Sequence, residues 1–103
     1  MLRVLIDHKA KDAIKLNSVI QQVTNEAMKQ RGYITGEVRV STEDPNNVLV
    51  MSTWDKLENW KAWDNSEAKK KIKPQIDNLL VEPYTVRTFD YRLVKENRVW
   101  SIF

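Results

Sequence analysis

The chain has no cysteine, only two glycines and three prolines among 103 residues. Without cysteine there are no disulfides, no thiolate nucleophiles and no zinc–thiolate centres. That fits a reducing compartment, and a cytoplasmic location is the expectation. The scarcity of glycine and proline leaves little room for long loops or linkers. Long apolar runs are also missing. The opening stretch MLRVLIDHKAK is interrupted by charge after a few residues. It is too short for a signal-peptide core and far too short for a membrane span.

Histidine occurs once, at His8. One imidazole with scattered carboxylates shows no metal-ligand spacing, so no metal site is expected. Gly32 and Gly36 form no phosphate-binding loop, so a flavin or nicotinamide has no visible seat. Ser18, Ser41, Ser52 and Ser66 belong to no recognisable triad. Charge of one sign is equally thin. Seventeen Lys and Arg against fourteen Asp and Glu give a net charge of +3. A nucleic-acid surface needs a denser basic stripe with interleaved aromatics, so no such partner is expected. Lys69, Lys70, Lys71 and Lys73 are the one cluster. They read as a solvated helix face, or as an anion-attracting rim.

What remains is an ordinary globular composition, 42% hydrophobic and 30% charged, in one domain spanning 1–103. This length supports a real core but is short for a roomy pocket. Leu2, Val4, Ile6 and His8 alternate with Arg3, Leu5 and Asp7, which predicts a first strand. Leu16, Ile20, Val23 and Ala27 recur at helical spacing and predict a helix over 11–31. Arg31 falls in its last turn, and Gly32 is placed as the left-handed residue that ends it. Strands over 33–41 and 48–54 flank the turn Asp44-Pro45-Asn46-Asn47 and make a hairpin. Asp55 with Glu58, then Asp64 with Glu67, resemble two capping boxes, which predicts two short helical pieces, 55–63 and 65–73. Pro74 ends the second piece or opens a further turn to about Leu80. A fourth strand follows over 84–94, and residues 95–103 read as a turn with a tail or short extra strand. The order is β-α-β-β-α-β: an α+β, ferredoxin-like antiparallel sheet with two helices on one face.

Two helices cover one face of such a sheet, yet both faces carry apolar residues. Val48-Leu49-Val50-Met51 is apolar on both sides. Leu5 lies opposite the main apolar set of its strand. Phe89, Tyr91 and Leu93 oppose Val86. A homodimer packed sheet to sheet around a two-fold axis buries the second face. The apolar tail Val99, Trp100, Ile102 and Phe103 reaches across it, or folds back over its own sheet in a monomer.

Few residues are candidates for chemistry. His8 is a general base at a pocket mouth, or simply a strand-end residue with one wet ring edge. The second is the simpler reading, because no nucleophile is marked. Asp7 lies on the opposite face of the strand. Trp54, Trp60 and Trp63 either line a flat pocket for an aromatic ligand or fill the core between helix and sheet. Trp63 sits at the break between the two capped pieces, where a gap beside the sheet is expected.

The stretch VLVMSTWDKLENWKAWDNSEAKKKIKPQIDNLLVEPYTVRTFDY resembles the antibiotic biosynthesis monooxygenase domain of the dimeric α/β-barrel proteins. The marks are a strand ending in Trp54, the helix start after it, Trp63, Asn65-Ser66, and a closing strand after Glu82-Pro83. Gly32-Tyr33 resembles the family's Gly-aromatic step. The resemblance implies a ferredoxin-like subunit, a homodimer, and a pocket between helices and sheet. The haem-degrading branch of the family uses a first-strand Asn, a helical Trp and an axial His. Trp63 matches that Trp, but Lys73 stands at the His position and the first strand has no Asn. A protonated lysine does not ligate iron, so haem degradation is not the expected activity; the reaction the resemblance implies proceeds without a bound cofactor. The implied activity is a monooxygenase-like reaction on a small aromatic or quinone-like compound. Trp63, Trp54 and Arg3 hold the substrate, and His8 and Asp7, helped by Arg3, remove its proton or hold the anion that results. The alternative is a non-catalytic dimeric barrel that binds a small ligand or partner.

Overall fold

The computed structural model describes residues 1–92. Strand β1 (Leu2–Lys9) leads into helix α1 (Ala13–Ala27), hairpin strands β2 (Tyr33–Val40) and β3 (Asn47–Trp54), helices α2 (Leu57–Asp64) and α3 (Glu67–Asp77), and strand β4 (Thr85–Asp90). The four strands form one antiparallel sheet in the order β2-β3-β1-β4. This is the ferredoxin-like arrangement. The second helical region is broken into two pieces, α2 and α3, as expected from the sequence.

The register fixes the faces. His8 pairs with Val48, Ile6 with Val50 and Val86, Val4 with Ser52, and Leu2 with Trp54. These residues face the helices. Two clusters fill the space between. One gathers Leu16, Val19, Ile20, Val48, Ile76 and Leu80. The other gathers Leu2, Val4, Ala27, Trp54, Trp60 and Trp63. The other sheet face carries Leu5, Leu49 and Met51 in cross-strand register, with Arg87 beside Leu5 and Phe89 beside Arg3. No helix covers it among the described residues.

Helix ends differ from the sequence expectations for local reasons. The Asp12 carboxylate accepts from the amides of Ile14 and Lys15, both at 3.1 Å, and so caps α1. The helix stops at Ala27 rather than running to Arg31. The Glu26 carbonyl is taken by the Lys29 amide and by the side-chain amide of Gln30, which turns the chain early. Gly32 does adopt positive φ (+88°), but it leads into β2 instead of closing the helix. A Cβ there collides with Asp55 and Asn59. Asp55 is not the cap of α2. Its amide is bound to the Gly32 carbonyl at 2.8 Å, and its carboxylate accepts from the Asn59 side chain at 2.8 Å. Lys56 occupies the cap position without a side-chain bond. Asp64 does not cap α3 either; Ser66 does, accepting from the Lys69 amide at 3.3 Å. Pro74 is carried inside α3, which continues to Asp77.

Strand β4 is shorter than expected. It ends at Asp90, opposite Leu2, where its partner strand runs out. Leu93, Val94 and the tail 95–103 lie outside the described residues.

Candidate active site

Between the sheet and the helices lies a hollow of about 270 Å³. Its floor is Ile6, Val50, Ser52 and Trp54; Ile20, Val23 and Thr24 of α1 form one wall, and Trp60 and Trp63 of α2 another. Asn17 and Gln21 of α1 and Glu37 and Val38 of β2 also border it. These four are exposed, so the mouth opens between α1 and the β2 edge. Tyr33 stands edge-on to Trp54, with ring centres 5.4 Å apart. Gly36 gives its hydroxyl room, because a Cβ at that position collides with it. Burial pushes the Tyr33 phenol up from its ordinary pKa.

A second, smaller hollow of about 40 Å³ adjoins the first. The two share Ile6, Ile20, Val23, Thr24, Val50 and Lys69 in their walls. His8, Ile76 and Tyr84 complete the smaller one. His8 is only 3% exposed. Its Nδ1 donates to the Val48 carbonyl at 3.1 Å. A carbonyl only accepts, so Nδ1 carries the proton and Nε2 keeps its lone pair. Burial drives the imidazole below its ordinary pKa, partly opposed by that hydrogen bond. His8 is therefore a neutral base near pH 7, with Tyr84 beside it at 5.5 Å between ring centres.

The structure separates the residues singled out in the sequence. Trp54 and Trp63 line the large hollow, and His8 lines the adjoining one. Asp7 and Arg3 face the opposite side of the sheet. There Asp7 lies beside Arg39, Leu49 and Arg87, and Arg3 beside Glu37 and Met51. The lysine run also divides. Lys70, Lys71 and Lys73 are exposed, but Lys69 is buried, 4% exposed, and borders both hollows. Helical spacing carried a signal for this: Lys69, Ile72 and Ile76 fall on one face of α3. Four cations in five positions masked it. Among the described residues no group of three or more His, Cys, Asp or Glu is placed to hold a metal. No described helix is long and apolar enough to cross a membrane.

A ferredoxin-like domain with a tryptophan-walled hollow between sheet and helices is the class these features define. The family model for antibiotic biosynthesis monooxygenase matches residues 2–75. The chain belongs to that family. Several solved structures share its fold. SnoaB, a cofactor-independent oxygenase from Streptomyces nogalater, superposes with a TM-score of 0.82 at 9% identity, covering 93% of this chain and 97% of its own. A conserved protein from Methanosarcina mazei gives 0.82 at 17% identity, covering 88% and 92%. An antibiotic biosynthesis monooxygenase gives 0.79 at 15% identity, covering 90% and 100%. No curated protein matches the sequence.

Proposed function

We propose that the chain is a monooxygenase that oxidises a small hydroxylated aromatic compound in the tryptophan-walled hollow, without a bound cofactor. The observation that carries this reading is the pairing of an apolar, flat-walled cavity with a neutral imidazole next door, in a chain of this family. The cavity is below the roughly 300–1,000 Å³ of pockets that take drug-sized ligands. A one- or two-ring compound suits it better than a four-ring one. Trp54, Trp60 and Trp63 supply the apolar faces against which a planar ring packs.

The chemistry needs no external reductant. His8 Nε2 takes the proton of a ring hydroxyl. The resulting anion passes one electron to dioxygen, and superoxide couples at the ring carbon para to that oxygen. Loss of the C–H proton from the same carbon breaks the O–O bond. One oxygen stays as a carbonyl; the other leaves as hydroxide and ends as water. For a dihydroxynaphthalene the balance is substrate plus dioxygen to hydroxynaphthoquinone plus water. The substrate supplies all four electrons. Arg3 and Asp7 stand on the far side of the sheet, and neither takes part in this step.

The open sheet face supports a homodimer. Leu5, Leu49 and Met51 form an apolar strip across its two central strands, and a second copy packed sheet to sheet buries it. Arg3, Asp7 and Arg87 on that face then belong to the interface instead of the cavity.

Oxygen uptake with a dihydroxynaphthalene tests the activity. The parent consumes oxygen, Trp63→Phe and His8→Asn do so more slowly, and quinone appears in step with uptake. Parent and variants that bind the compound equally and turn over none of it favour a binding protein instead.

A further inference from the structure

The proposed reaction leaves Lys69 without a task. Its side chain is buried and borders both hollows, whose shared walls also include Ile6, Ile20, Val23 and Val50. Nζ donates to Asp64 Oδ1 at 3.0 Å and lies 5.6 Å from the centre of the Tyr84 ring. An ammonium has three N–H donors. Among the described residues only one is taken, by a carboxylate that is itself 35% exposed. A buried ion costs several kcal/mol in lost hydration unless its donors are matched. If Lys69 only tied α3 to α2, it had no need to form a cavity wall, and a methionine fills that wall at lower cost.

We propose that Lys69 is the anion-holding group of the cavity, selecting ring compounds whose hydroxyl is ionised and seating that oxygen at the junction of the two hollows. This inference rests on the cavity being the ligand site. His8 also lines the smaller hollow, so the oxygen that gives up its proton to Nε2 is the one Lys69 then holds. The other charged or titratable groups around the ammonium are Asp64 from α2, Tyr84 ahead of β4, and Lys73, whose Nζ lies 5.2 Å from the same ring centre. Asp64 competes with the ligand for the ammonium. Its removal therefore strengthens anion binding, whereas removal of Lys69 abolishes it.

Para-nitrophenol and nitrobenzene are suitable probes, because they share a shape and only the first ionises to a coloured anion. Each is titrated into the parent, Lys69→Met and Asp64→Asn. In the parent, bound nitrophenol ionises about one pH unit lower than free nitrophenol, a tenfold preference for the anion. Lys69→Met loses the preference and keeps nitrobenzene binding; Asp64→Asn increases the preference. Should Lys69→Met not fold, the direction of Asp64→Asn decides, since a purely structural ion pair predicts weaker binding there. Equal anion preference in parent and Lys69→Met, or both variants moving together, overturns the role of Lys69 and leaves the cavity reading standing. Failure of both probes to bind the parent overturns both.

Discussion

Acidification from pH 8 to pH 5 should destabilise this protein through a single side chain. His8 is the only histidine. It is buried, with Nδ1 committed to the Val48 carbonyl, and burial lowers its pKa below the ordinary 6.5. The unfolded chain then binds the proton more readily than the folded one. Stability is complete above about pH 6.5 and declines as pH falls below it, until the folded-state pKa is reached. Between those limits the slope cannot exceed about 1.4 kcal/mol per pH unit, the value for one proton. Carboxylates add their own losses mainly below this range, which is why pH 5 is the lower bound. Urea unfolding at half-unit intervals measures the curve. His8→Asn keeps an N–H donor near the Val48 carbonyl and cannot charge, so its stability should stay flat where the parent's falls. Parallel curves refute the assignment, as does a parent that gains stability on acidification. The second outcome also removes the neutral base that the proposed reaction requires.

Three further outcomes are expected. Ser66→Ala removes the cap of α3 and should cost about 0.5–2 kcal/mol by denaturant unfolding, because the Lys69 amide loses its acceptor. Gly32→Ala should cost about 1–3 kcal/mol by the same measurement, since the residue has φ of +88° and its new Cβ meets Asp55 and Asn59. Leu49→Lys places a charge in the middle of the open sheet face and should convert a dimer to monomers by light scattering. A parent that is already monomeric at micromolar concentration contradicts the dimer.

The fold was readable wherever alternation or helical spacing ran undisturbed. Leu2, Val4, Ile6 and His8 share a face as their spacing requires, and the turn at Pro45 joins a hairpin. Helix ends were less readable, because they depend on partners distant in sequence. Asp55 has the composition of a cap, but the Gly32 carbonyl holds its amide, and its carboxylate turns to Asn59 instead. The site was legible in part. Trp54 and Trp63 fall on the hollow because the strand end and the helix break leave space there. The period-two alternation of β1 places Asp7 and Arg3 on the face of the sheet opposite His8. Lys69 was hidden among its neighbours. Only its spacing to Ile72 and Ile76, and not its charge, separates it from the solvated lysines.

The most direct test of the central claim uses isotopically heavy dioxygen. The metal- and cofactor-free protein is mixed with a dihydroxynaphthalene under the labelled gas, and the product is analysed at once by mass spectrometry. The expected product is a hydroxynaphthoquinone carrying one heavy oxygen, with the second recovered in water and the rate reduced in Trp63→Phe. Quinone without label, or labelled quinone formed equally fast without protein, contradicts it.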